Sequence, residues 1–159
     1  MELDSASLQQ DLILLGRVAA AMVLGSLVGL EREASRHAAG LRTHMLIAGA
    51  AALIVGLGDV IAQHFAQEPY RAMLQVDPVR LIEATVSAVG FVAAGNILRS
   101  HSGDHVRGLT TSASLVMSAA IGICAGLGEY VLALGVSLLC LLVLTVLQRV
   151  SAKVGDASD

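Results

Sequence analysis

The sequence has no tryptophan, two phenylalanines and two tyrosines among 159 residues. Its apolar mass is therefore aliphatic, built from Leu, Val, Ala and Ile. Charge is scarce as well: 14% of residues are Asp, Glu, Lys or Arg, against about 25% in an average soluble domain. The formal net charge is −3, and no stretch forms a strongly basic face, which argues against nucleic acid as a partner. The only cysteines are Cys124 and Cys140. Both lie in apolar runs without charged neighbours and outside any metal-binding spacing, and they read as buried, unreactive thiols. GxSxG, P-loop and HExxH motifs are missing. Soluble-enzyme chemistry and ATP hydrolysis therefore have no support, and no cofactor is expected. The first residues, Met-Glu-Leu-Asp-Ser, lack the basic region of a cleavable signal peptide. The apolar run that follows is expected to remain as a membrane span.

What the chain does have is long apolar runs. Hydrophobic residues make up 55% of it, accompanied by 16 glycines, and the mean hydropathy is +0.75. Such helices suit a bilayer, where small residues let backbones approach. The expected fold class is all-α, a polytopic membrane helical bundle of five transmembrane helices. The spans run over Leu12–Leu30, Thr43–Ile61, Val79–Leu98, Leu109–Leu127 and Tyr130–Leu147. Each is near the ~20 residues that cross ~30 Å of hydrocarbon. Only Gly128 and Glu129 separate the last two, which predicts a tight helical hairpin. Residues 1–150 form the membrane helical domain, and residues 151–159 are expected to be a disordered tail.

Orientation follows from the placement of Lys and Arg. With the N-terminus outside, the inner side receives Arg32, Arg36, Arg42, Arg99, Arg107, Arg149 and Lys153, and the outer side Arg71 and Arg80. Arg17 lies within the first span. The bias predicts an outer N-terminus and a cytoplasmic C-terminus.

The second and fourth helices open and close alike. Gly40-Leu41-Arg42-Thr43 parallels Gly108-Leu109-Thr110-Thr111, and Gly56-Leu57-Gly58-Asp59 parallels Gly126-Leu127-Gly128-Glu129. The first two helices thus resemble the third and fourth as a parallel repeat, an arrangement able to frame a site near its pseudo-symmetry axis.

Polar residues gather at both ends of the spans. The outer group is Arg17, Asp59, Asp77, Arg80, Glu83 and Glu129. Its carboxylates suit a hard cation such as magnesium, while its arginines suit structural ion pairs, with Arg17 to Glu83 the expected pair. The inner group holds Glu31, Arg32, Glu33, Arg42, Thr43 and His44, joined by Arg99, Arg107, Thr110 and Thr111. Thr43 and Thr110 stand where N-caps belong. Two helix N-termini flanked by arginines would favour an anion such as phosphate. The plainer reading is helix capping plus positive-inside anchoring. Asn96 is a further polar residue in a span, and His101 and His105 share a loop with Asp104. No metal is assigned from these residues. Gly25/Gly29 and Gly122/Gly126 form small-xxx-small faces, for packing within the chain or for a homodimer.

These stretches together resemble the membrane domain of the MgtC/SapB family. The residues carrying the resemblance are Gly-Leu-Glu-Arg-Glu (29–33), Ala-Gly-Leu-Arg-Thr-His (39–44), Asp-Pro-Val-Arg (77–80), Val-Gly-Phe-Val-Ala-Ala-Gly (89–95) and Arg-Gly-Leu-Thr-Thr-Ser-Ala-Ser-Leu (107–115). Val92 and Ala93 depart from the family's usual Gly-Phe-Leu-Gly-Ala-Gly, and Val116 stands where tryptophan is common. The resemblance implies a bacterial inner-membrane protein linked to magnesium limitation and, in pathogens, to virulence. It implies a non-enzymatic regulator of ion homeostasis with a membrane-protein partner, the alternative being a small transporter or channel for magnesium, protons or phosphate. It also implies functional roles for Glu31, Arg32, Arg42, Thr43, Asp77, Arg80, Arg107 and Thr110.

Overall fold

The structure, a computed structural model, describes residues 5–64, 77–98 and 108–155. Among them are five helices and no strand: α1 (Ser5–Ala34), α2 (Leu41–His64), α3 (Pro78–Leu98), α4 (Leu109–Gly126) and α5 (Tyr130–Gly155). The first four are each long and apolar enough to cross a bilayer. The apolar stretch of α5, Tyr130–Val146, is slightly shorter. α5 itself continues to Gly155, so the segment assigned to a disordered tail from residue 151 begins as helix.

Local chemistry sets the helix ends. Asp77 caps α3: its Oδ1 accepts the Val79 N–H at 3.0 Å, and Pro78 takes the first helical position, where its missing N–H costs nothing. α4 ends at Leu127 with Gly128 at φ 84°. The Gly128 N–H donates to Ala125 and the Glu129 N–H to Cys124, a complete Schellman closure that produces the short turn into α5. α1 closes by the same pattern, through Arg36 N–H to Glu33 and His37 N–H to Arg32. Here the left-handed position is filled by Arg36 at φ 56°.

Thr43 and Thr110 are not N-caps. Gly40 and Gly108 precede the first helical residues, Leu41 and Leu109, which puts each threonine inside the first turn. The Leu41 N–H is instead capped from α1, by the Glu33 carboxylate at 2.8 Å. The expected repeat therefore holds where the two helices open. It breaks where they close: α4 stops at Gly126, while α2 runs through Gly58 and Asp59 to His64.

α1, α2 and α4 pack against one another, and α3 and α5 flank α4, with further contacts to α2 and α1 respectively. α1 and α2 are antiparallel neighbours. A Cβ added at Gly25 would lie 2.7 Å from that of Ala48, and one at Gly29 would lie 2.8 Å from the Leu41 Cα. α4 runs parallel to α2. Cβ atoms at Gly122 and Gly126 would strike the backbone of Ala48 and Ala52 in turn, the latter at 2.7 Å from the Ala52 carbonyl. Ala21, Val28, Ala48, Ala52, Ile121 and Ala125 line this seam and are wholly buried. α5 adds Ala133, Ser137, Cys140 and Leu144 from one face, spaced as a helical stripe. Its other face exposes Val131, Leu132, Leu138, Leu139 and Leu142, an aliphatic surface that suits lipid.

Candidate functional site

One polar group sits where α1 ends and α2 begins. Arg32, in the last turn of α1, is 2% exposed. Its Nε pairs with the neighbouring Glu31 carboxylate, and its Nη1 donates to His37 Nε2 at 3.3 Å. That bond makes Nε2 an acceptor and places the ring proton on Nδ1, which is buried and has no partner among the described residues. Glu31 also accepts from the Ser35 hydroxyl at 2.9 Å. A buried pair of this kind is costly to break, because the survivor is left charged and unpartnered.

His44 lies one turn into α2 and is completely buried. Its Nδ1 is 2.8 Å from the Gly40 carbonyl, which only accepts, so Nδ1 carries a proton. Its Nε2 is 3.0 Å from Ser114 Oγ on α4, and Ser114 also reaches the Thr111 carbonyl at 2.8 Å. Serine has one proton to give. Donated to Nε2 it leaves the imidazole neutral; donated to Thr111 it requires Nε2 to carry a proton as well. In either arrangement the hydrogen bond ties α2 to α4 across their seam.

The other inner residues are spread out. Arg42 is exposed. Thr43 lines a 360 Å³ cavity with Ala38, Ala39, Val92, Gly95, Asn96 and Leu115, and Asn96 Nδ2 is buried there without a partner among the described residues. Thr110 lies instead on an apolar groove between α4 and α5 with Met117, Leu139 and Val143. Arg107, Arg99, His101 and His105 lie outside the described residues.

At the opposite end Arg17 is the organising side chain. Its Nη1 pairs with Asp59 at 3.2 Å and donates to the Gly126 carbonyl at 2.9 Å. One guanidinium thus ties α1 to α2 and satisfies a carbonyl left over at the end of α4. The expected pairing of Arg17 with Glu83 is not formed. α1 and α3 do not touch, whereas the antiparallel α1–α2 hairpin brings residues 17 and 59 together. Asp77 and Arg80 make only a 3.8 Å contact on the surface, and Glu83 and Glu129 are exposed. Among the described residues no three His, Cys, Asp or Glu side chains converge to hold a metal.

Sequence reasoning passed over Ser114, Ser118 and Ser137. All three are buried, and Ser118 Oγ has no partner among the described residues. A signal was present in Thr111, Ser114, Ser118 and Gly122, one small and polar stripe at helical spacing.

Comparison with known proteins places this arrangement. The MgtC family model matches residues 18–153. SapB of Bacillus subtilis is 38% identical over 135 residues, covering 85% of this chain and 56% of SapB. MgtC of Salmonella typhimurium is 36% identical over 137 residues, covering 86% of this chain and 53% of that protein. An Escherichia coli protein named "Putative magnesium transporter YhiD" is 36% identical over 141 residues, covering 86% of this chain and 60% of its own length. The chain spans about half the length of the curated relatives it matches. No solved structure matches it. With four apolar helices of spanning length and a family match over most of its length, this membrane protein belongs to the MgtC family.

Proposed function

We propose that the chain is a non-enzymatic regulator in the bacterial inner membrane, linked to magnesium limitation and ion homeostasis, with its N-terminus outside and its C-terminus in the cytoplasm. The observation that carries this reading is the closed seam of α1, α2 and α4. Gly25, Gly122 and Gly126 bring backbones so close that a Cβ at any of them would collide with the facing helix. Such packing closes the α1–α2–α4 seam itself to a hydrated ion, which supports a reading in which the chain acts from the bundle's surface. The test is crosslinking in native membranes, followed by recovery of the chain from cells grown with limiting magnesium. A specific membrane protein should be captured, and deletion of the gene should impair growth under that limitation. Recovery of this chain alone, together with unimpaired growth of the deletion strain, would overturn the reading.

A second reading, an ion transporter, draws on Arg32, Glu31, His44 and Ser114, which place ionisable and hydrogen-bonding groups within the spans. It also fits the name of the Escherichia coli relative. Flux into liposomes separates the two.

A further inference from the structure

The cavity beside Asn96 lies apart from the α1–α2–α4 seam and has a mixed wall. Thr43 of α2, Val92, Gly95 and Asn96 of α3, and Leu115 of α4 border its 360 Å³. Val92, Gly95 and Asn96 share one face of α3, at helical spacing. A Cβ at Gly95 would meet nothing within 4 Å, so this glycine leaves space open instead of closing a helix contact. Two polar side chains border that space without partners. Thr85, Ser137 and Thr145 return their hydroxyls to the carbonyl four residues back, whereas the Thr43 hydroxyl makes no hydrogen bond among the described residues. Asn96 Nδ2 is buried and unpaired among them. Half a turn about χ2 exchanges the two ends of this amide. It brings the NH2 to the cavity and leaves inside the carbonyl oxygen, the less costly end to leave unpaired. The cavity thus offers two neutral donors and no acceptor to receive them.

We propose that this cavity holds the ester-linked glycerol region of a phospholipid, with the Thr43 hydroxyl and the Asn96 amide donating to its ester carbonyl oxygens. Charge, depth and access select this occupant. No charged side chain among the described residues lines the cavity, so nothing there neutralises a free anion or a cation, and the two donors call for a neutral acceptor. Thr43 is the third residue of the span Leu41–Gln63 and Asn96 the last but one of Pro78–Ile97. Both therefore stand where hydrocarbon gives way to the interfacial region, the level of lipid esters. Val92 is 52% exposed, so the cavity reaches the lipid-facing surface of α3, and Leu115 gives the first methylenes of an acyl chain an apolar wall. The volume is at the lower end of the about 300–1,000 Å³ of small-molecule sites, which suits one region of a lipid and not the whole molecule. The proposal goes beyond the regulatory reading and does not rest on it.

Asn96 is the only asparagine in the chain, so asparagine-selective isotope labelling makes its side-chain NH2 a single NMR probe. The test titrates the full chain in maltoside micelles with a diacyl phosphatidylglycerol, with the dialkyl-ether lipid of the same headgroup, which lacks the carbonyls, and with inorganic phosphate. The diacyl lipid should shift the NH2 signals saturably, the ether lipid should bind several-fold more weakly, and phosphate should leave them unmoved. Thr43→Val should weaken the diacyl response several-fold. Gly95→Leu, which fills the cavity, should abolish it. Gly90→Leu adds the same bulk on another face of α3, where a Cβ also meets nothing within 4 Å, and should preserve it. Equal binding of the two lipids would mean that the carbonyls are not recognised, saturation by phosphate would mean an anion site, and no saturable shift would mean that water alone fills the cavity. Each of these would overturn the proposal, as would a diacyl response unchanged in Gly95→Leu. The ester–ether comparison uses the native chain, so it decides the matter even where a variant fails to insert.

Discussion

His44 and Ser114 meet at 3.0 Å between α2 and α4, both shut off from solvent. They stand 70 positions apart in the chain. Their bond is a polar tie across a seam otherwise built mainly from small and aliphatic residues. A double-mutant cycle on His44→Ala and Ser114→Ala, read by denaturant titration in bicelles, should give a coupling of about 0.6–1.7 kcal/mol, the range of interhelical hydrogen bonds in membranes. Purely additive losses would mean that the two side chains do not interact.

The seam itself makes a sharper demand. Gly122 and Gly126 face the backbone of α2, whereas Gly16 and Gly135 face open space. Alanine at Gly122 or Gly126 should cost about 1–3 kcal/mol through overpacking. Alanine at Gly16 or Gly135 should be neutral or mildly stabilising, by up to ~1 kcal/mol from helix propensity. Unfolding titrations of the four variants check the contrast.

How much of this was legible in the sequence varies with the length scale of the cause. Apolar run length and turn glycines are local properties, so the helices and the tight Gly128–Glu129 turn could be read directly. Which helices touch is not local. The pairing of Arg17 with Glu83 assumed that any two charges at one membrane face could meet, and the absence of an α1–α3 contact forbids it. His44 was visible as a polar residue near a span end. Its partner was not, because the parallel α2–α4 contact joins helices that are not neighbours in sequence. Thr43 and Thr110 misled as caps because glycine and a carboxylate from the preceding helix already perform that task at α2.

The two inner arginines differ in kind. Arg32 is buried and uses its fork twice, toward Glu31 and His37, while Arg42 is exposed. Arg32→Lys should impair complementation of a deletion strain under magnesium limitation, because lysine lacks the planar fork. Arg42→Lys should complement fully if Arg42 serves as a positive-inside anchor, since topology counts charge. Equal behaviour of the two variants, at matched expression, would contradict this assignment.

Arg36 offers a test of backbone strain. It occupies the left-handed closing position of α1 at φ 56°, where glycine is ordinarily favoured. Arg36→Gly should stabilise the fold by about 0.5–1 kcal/mol, the left-handed penalty relieved less the added entropy of glycine. The same unfolding titration reads it, and a loss of stability would mean that the Arg36 side chain contributes more than its strained backbone costs.

We infer that the α1–α2–α4 seam is closed to ions and that the chain acts from its surface. Purified protein reconstituted into liposomes, with magnesium, proton and phosphate entry followed in parallel, tests this most directly. Entry should be indistinguishable from that into protein-free liposomes for all three. Entry well above that baseline, and lost on His44→Ala or Arg32→Ala in correctly inserted protein, would contradict it.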